Sequence, residues 1–257
     1  MSMTATASTV WSPEETVIWH DLECGAYRTD LPLWLELAAA TPGAPVLEVG
    51  CGTGRVALAL ARAGHPVTAV DVDAALLTEL ARRAAALSVE VVDADARELD
   101  LPSRGYALCV AALQTIQLFG GPGPRARFLA AAREHLRPDG VLACAIVSAL
   151  ESYSVVDGDK APPADHLRRG GRLYVSHATA MRVRARTIEV KRWRFVIGEG
   201  GRRDVLEPSA VEVLQLARFT ATQLEREGRA VGLTPLPRRV IPETDEFLGS
   251  EVVRLRA

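Results

Sequence analysis

Between residues 46 and 147 the chain alternates short apolar runs with stretches of helical period. The runs Val46–Val49, Val67–Val70, Val89–Val92, Leu108–Leu113 and Val141–Val147 are rich in valine and nearly free of charge. Strands buried on both faces read this way. Most of them are separated by Arg55–Ala63, Ala74–Ala86 and Arg125–Leu136, whose apolar positions recur at helical spacing. Strands alternating with helices predict a parallel sheet with right-handed crossovers. Pro138-Asp139-Gly140 predicts a turn that stops one helix and launches the next strand.

The pattern changes on either side. Residues 12–40 read as helical. Ser12-Pro13-Glu14-Glu15 supplies an N-cap, a proline at the first helical position and acids in the first turn. Trp34, Leu35, Leu37 and Ala38 then form an apolar face. Residues 148–170 read as a loop. Arg172–Ala185 and Thr187–Ile197 alternate with period two, Val205–Leu216 less cleanly, and turns at Arg186 and Gly198–Gly201 join them. This predicts an antiparallel β-insertion after the fifth strand. It carries Arg182, Arg184, Arg186, Lys191, Arg192 and Arg194 against few acids, which suits either a solvated sheet face or an anionic substrate or partner. Thr220–Ala230 reads as a helix, and Leu233–Ile241 and Val252–Leu255 as two closing strands. The polar loop Glu243–Phe247 between them is placed to reach a pocket rim.

Composition narrows the function classes. Apolar residues make up 48% of the chain and charged residues 24%, values of an ordinary soluble globule. At 257 residues it makes one large domain, or one domain with an insertion. A net charge of −2 provides no global field for nucleic acid or a membrane surface. Cys24, Cys51, Cys109 and Cys144 have neither metal nor redox spacing, so reduced thiols and a cytoplasmic location are expected, with no metal. The apolar run Val141–Leu150 is about half of what a membrane span needs. Met1–Thr9 lacks the features of a signal peptide and is expected to be a disordered lead.

The chemistry concentrates in Glu48-Val49-Gly50-Cys51-Gly52-Thr53-Gly54, where a strand enters a glycine-rich turn before a helix. Such a corner binds nucleotides in open α/β sheets. The dinucleotide fingerprint is G-x-G-x-x-G. Here the spacing is G-x-G-x-G with an acid two residues ahead, which suits a cationic ligand group better than a diphosphate. Asp71 ends the second strand about 20 residues further on, where an acid can accept from ribose hydroxyls. Capping the next helix is its competing role, although Asp73 can serve there. Val72 would then lie against a base.

Together, E-V-G-C-G-T-G-R, the later V-T-A-V-D-V-D and H-L-R-P-D-G resemble the class I S-adenosylmethionine-dependent methyltransferases, over roughly residues 44–147. The resemblance implies an α/β, doubly wound, Rossmann-like fold, with a mostly parallel seven-stranded sheet and the antiparallel insertion after strand 5. Residues 1–43 would be an N-terminal helical cap, 44–171 and 218–257 the core, and 172–217 the insertion. It implies that the loop wraps the methionine part of the cofactor at Gly50 and Gly52, with Glu48 facing its ammonium. It implies Tyr27 near the methionine carboxylate, Asp95 at the adenine amino group and the Ala96 N–H at a ring nitrogen. Asp93 competes with Asp95, and Tyr27 could merely pack a helix. Leu113 and Gln117, after the fourth strand and at the rim of the crevice, are further candidates for cofactor contact, Gln117 for substrate contact as well. Gln114 is a second choice, and a helix-start role competes for both glutamines. In this family an acid often begins the fourth strand, where Ala107 stands here.

The implied activity is methyl transfer from S-adenosylmethionine to an N or O nucleophile of a small-molecule acceptor. The sequence D/N-P-P-Y, which marks methylation of nucleic-acid bases and protein glutamine, is absent after the fourth strand. Neither nucleic acid nor membrane is expected as a partner. The insertion would cap the acceptor pocket or form a homodimer contact. His20, His166 and His177 are candidate bases, but none sits in a recognisable triad, so no catalytic residue is assigned. A non-catalytic S-adenosylmethionine-binding module and an NAD-type oxidoreductase are the alternatives.

Overall fold

The computed structural model describes residues 11–198, 208–244 and 248–257. Parts of the expected 198–201 turn, of the Val205–Leu216 run and of the Glu243–Phe247 loop lie outside these residues, as does the Met1–Thr9 lead. The chain divides into two compact units. One contains residues 1–26 and 150–215, the other residues 27–149 and 216–257.

The larger unit is built on seven strands: β1 (Val46–Val49), β2 (Val67–Asp71), β3 (Val89–Asp93), β4 (Tyr106–Ala111), β5 (Leu136–Ile146), β11 (Thr234–Ile241) and β12 (Ser250–Arg256). Their order is β11-β12-β5-β4-β1-β2-β3. Strands β1 to β5 pair in parallel, whereas β12 is antiparallel to both β5 and β11. The order reverses between β4 and β1, which opens a crevice at their carboxyl ends. Successive strand residues face opposite sides. Leu47, Val49, Cys109, Ala111, Leu142 and Cys144 pack into one core with Phe128 and Leu129 of helix α6 (Pro122–His135) and Leu224 of α7 (Ala221–Ala230). Val46, Leu108, Val110, Ala143 and Ala145 pack into another, with Trp34 of α2 (Leu31–Ala39), Leu60 of α3 (Arg55–Arg62) and Leu80 of α4 (Ala74–Arg83).

Caps fix several helix starts. Asp73 accepts from the Ala75 and Leu76 amides and caps α4, which leaves Asp71 out of that role. Thr220 and Gln223 form a capping box on α7. The expected turn at Pro138-Asp139-Gly140 lies inside β5, as an irregularity in its pairing with β4, and Gly140 is needed there because a Cβ would come within 2.8 Å of the Tyr106 carbonyl oxygen.

The smaller unit is an antiparallel sheet with a helix. Its order is β10 (Ala210–Ala217), β9 (Thr187–Ile197), β8 (Arg172–Val183) and β6 (Tyr153–Ser154), with β7 (Asp165–Arg169) also paired to β8. The segment expected to be a loop thus contains two short strands. The single helical region expected over 12–40 is interrupted. Helix α1 (Pro13–His20), capped by Ser12 and Glu15, runs into a π turn over Asp21–Gly25. Helix α2 starts afresh with a proline in its first turn. The division between units falls at Ala26, not at residue 43, because Trp19 packs edge-on against Tyr174, with ring centroids 5.3 Å apart. The basic strands also meet acids. Arg194 forms a two-point pair with Glu23 at 2.8 and 2.9 Å, and Arg192 pairs with Asp165 at 3.2 Å. Burial works to raise the Glu23 carboxyl, but the Arg194 hydrogen bonds and charge outweigh it and hold it below its usual range.

Candidate functional site

The glycine loop leaves β1 and turns beneath the end of β2. The Gly50 and Cys51 amides both donate to the Val70 carbonyl, at 2.8 and 3.1 Å. Gly50 has φ +68°, and a Cβ there would overlap the Thr115 side chain at the start of the short helix α5 (Thr115–Leu118) after β4. Gly54, with φ +91°, caps α3, and a Cβ would strike Leu80. Both positions therefore need glycine on two counts, backbone conformation and space. The loop, the end of β2 and the turn after β4 converge at the crevice.

Asp71 organises this corner. One carboxylate oxygen accepts from the Gly52 amide at 2.8 Å, and the other from the Val72 and Asp73 amides at 2.8 and 3.1 Å. The Ala94 amide donates to the Asp71 carbonyl at 3.0 Å, which ties the end of β3 to the same place. Val72 stands out from the surface at 66% exposure, unusual for a valine beside a buried sheet end.

Glu48 is the unusual charge. It sits on the inner strand β1 at 2% exposure, and its Oε2 has no hydrogen-bond partner. Burial pushes its carboxyl up to about 8, against the neighbouring Arg55 charge and a backbone hydrogen bond from Ala57; Asp30 and Asp71 add to the rise. A buried acid with an open acceptor position fits a ligand cation, because burying an unpaired charge is costly.

Tyr27 is buried at the base of the loop, with the Arg55 guanidinium 5.2 Å from its ring centroid. Burial and then the Asp30 charge raise its hydroxyl to about 12, and Arg55 opposes this. Leu113 adopts φ +50°, a strained conformation for a side-chain-bearing residue, directly after the first turn residue past β4. Asp95 caps the short 3₁₀ turn Ala96–Glu98 and grips the Arg97 guanidinium. Those hydrogen bonds hold its carboxyl below the usual range. Asp95 therefore has a partner of its own, which an adenine amino group would have to share.

Gln117 requires a correction. Its amide is completely buried, donates to the Val147 and Ala217 carbonyls at 3.1 and 3.0 Å, and accepts from the Val147 amide at 2.9 Å. All its polar atoms serve the scaffold, so it is a clamp across the ends of two strands and not a cofactor contact. Sequence reasoning missed Asp30, Arg55 and Thr115. Only Arg55, which follows the loop directly, left any sign in the sequence. Among the described residues no group of His, Cys, Asp and Glu could hold a metal ion, and no helix is long and apolar enough to cross a membrane.

Residues 46–140 match the family described as methyltransferase domain. Over 110 residues the chain is 32% identical to the cypemycin N-terminal methyltransferase of a Streptomyces species, an alignment covering 43% of this chain and 44% of that protein. The chain spans less than half the length of the curated relatives it matches. Two solved structures are similar over most of their length. The S-adenosylmethionine-bound amino pentose methyltransferase CalS10 of Micromonospora echinaspora is 19% identical, covers 98% of this chain and 100% of its own, and superposes with a TM-score of 0.71. The sugar N-methyltransferase KedS8 of Streptoalloteichus sp ATCC 53650 is 18% identical, covers 98% and 96%, and has a TM-score of 0.72. At such identities the likeness establishes the fold. With that fold, the match over residues 46–140 identifies the stretch that holds the glycine loop as a methyltransferase domain.

Proposed function

We propose that this protein transfers the methyl group of S-adenosylmethionine to an amine nitrogen of a small-molecule acceptor. The observation that carries this reading is the open acceptor oxygen of buried Glu48 on β1, beside the glycine loop. In this reading Glu48 holds the amino group of the cofactor's methionine part, the Gly50–Gly52 backbone lies along it, and Tyr27 flanks it. Asp71 accepts from a ribose hydroxyl, and Val72, Leu113 and the Asp95–Ala96 turn bound the adenine. The bound cofactor supplies an already electrophilic sulfonium methyl, so the chain's own task is alignment of the nucleophile, worth up to about 7–11 kcal/mol in favourable cases. The preference for nitrogen over oxygen rests on the similar proteins, which include an amino pentose methyltransferase, a sugar N-methyltransferase and the cypemycin N-terminal methyltransferase.

Isothermal titration with S-adenosylmethionine, S-adenosylhomocysteine and NAD tests the binding half. One-to-one binding of the first two is expected. Incubation with tritiated S-adenosylmethionine and a panel of amino sugars, amines and the corresponding alcohols tests the transfer half. Label in an amine product is expected. Binding of NAD alone would reject the reading, and cofactor binding with no transfer to any acceptor would leave a binding module.

A further inference from the structure

The most buried ion pair described in the larger unit is not at the surface of the glycine loop but behind it. Asp30, immediately before α2, and Arg55, the first residue of α3, have side chains only 1% and 7% exposed. One terminal nitrogen of Arg55 bonds Asp30 Oδ1 and also the Tyr27 carbonyl at 3.1 Å; the other bonds Asp30 Oδ2 at 2.8 Å. Trp34 Nε1 donates to Oδ2 at 2.8 Å. The guanidinium is thus clamped from one side.

The neighbour it does not pair with is Glu48. The charged and titratable groups around Glu48 are Arg55 on α3, Asp30 before α2, Asp71 at the end of β2, Cys51 in the loop and Cys109 on β4, with Tyr27 facing Arg55. Arg55 is the one cation of this set. A buried carboxyl beside a buried guanidinium would ordinarily form a two-point pair, since each is costly to bury alone. Here Glu48 keeps an unpartnered oxygen while Asp30 takes the guanidinium.

We propose that Asp30 is a positioning residue: by holding Arg55 away from Glu48 it keeps the Glu48 carboxyl open for the cationic amino group of the cofactor. This rests on the function proposed above. It has a consequence that a purely structural pair lacks. With no cation to pair with, Glu48 keeps its proton until the ligand's ammonium arrives, so binding expels that proton into solution.

The test is titration calorimetry of the full chain with S-adenosylhomocysteine at pH 7, in two buffers of different ionisation enthalpy, which together count protons. The unmodified protein is expected to release about one proton per ligand, given a carboxyl that titrates near 8. In Asp30→Asn the freed Arg55 turns to Glu48. Affinity then falls at least about tenfold and proton release falls toward zero, because Glu48 is already ionised and occupied. In Asp30→Asn/Arg55→Gln the competing cation is gone, so affinity returns to within about threefold of the unmodified protein and proton release returns with it. Because both charges leave together, the double variant is the less damaging one, and it decides alone if the single variant does not fold. Unchanged affinity and proton count in Asp30→Asn overturn the proposal, even if its melting temperature drops. So does a double variant that stays tenfold weaker, since Arg55 would then be a ligand contact itself. An unmodified protein that gives no heat with S-adenosylhomocysteine removes the functional reading, a distinct result.

Discussion

Replacing Asp71 with alanine separates its two roles. A carboxylate offers about four acceptor positions. Three are filled by the Gly52, Val72 and Asp73 amides, so about one is left for a ribose hydroxyl, not the two that the sequence suggested. Losing one charge-assisted bond costs ~1.5–3 kcal/mol, or roughly 10- to 150-fold in cofactor affinity. On the scaffold side, the amide of exposed Val72 regains water at little cost. The Gly52 amide is partly buried, and leaving it unsatisfied costs ~1–3 kcal/mol. At about 2–4 °C per kcal/mol for a chain of this size, the melting temperature falls by ~2–12 °C. Asp71→Asn fares little better, because its NH₂ group must face one of the same amides. Calorimetry with S-adenosylhomocysteine and a thermal melt read the two effects. A lower melting temperature with unchanged affinity would make Asp71 a loop anchor only and refute its place in the cofactor site.

Other expectations follow from single contacts. Gly50→Ala forces a Cβ into Thr115 at φ +68° and should abolish detectable cofactor binding; adding Thr115→Gly should restore part of it, as measured by thermal shift with ligand. Gln117→Leu strands the Val147 amide and two carbonyls in a buried place, a loss of at least ~2 kcal/mol in denaturant unfolding. If it folds, it should bind S-adenosylhomocysteine normally. Glu48 titrates near 8 in the folded protein, against 4.5 when unperturbed, so its contribution to stability is complete below about 4.5 and is lost as pH rises towards 8. The melting temperature of the ligand-free protein should therefore drop between pH 5 and 8 relative to Glu48→Gln. An identical pH profile for the two would show that Glu48 is ionised throughout.

The parallel core was legible because its strands are apolar on both faces: Val46–Val49 matches the expected run to the residue, and β2 and β3 extend theirs by one; in the antiparallel sheet, period-two alternation placed Thr187–Ile197 to the residue as well. Strand β7 was hidden because Asp165-His166-Leu167-Arg168-Arg169 alternates weakly and lies at a sheet edge, where polar residues are tolerated. Glu48, the glycines and Asp71 were readable because backbone geometry and charge confine which residues can stand there. The Asp30–Arg55 pair was not, since its partners are 25 positions apart and nothing local marks either as buried. Gln117 misled for the converse reason. A glutamine at a strand end looks the same in sequence whether its amide meets a ligand or, as here, its own backbone.

The place of β12 sets the timing of biosynthesis. It lies inside the sheet, between β5 and β11, and pairs Glu251 with Ile146. As the nascent chain emerges, β5 exists long before its neighbour does. At about 5–20 residues per second, the ~105 residues between those partners take roughly 5–20 s to synthesise. During that interval the β5 edge is an open template, flanked by the apolar surface that Val253 and Leu255 later cover. A growing chain arrested before residue 250 should therefore engage chaperones, and one released after residue 256 should not.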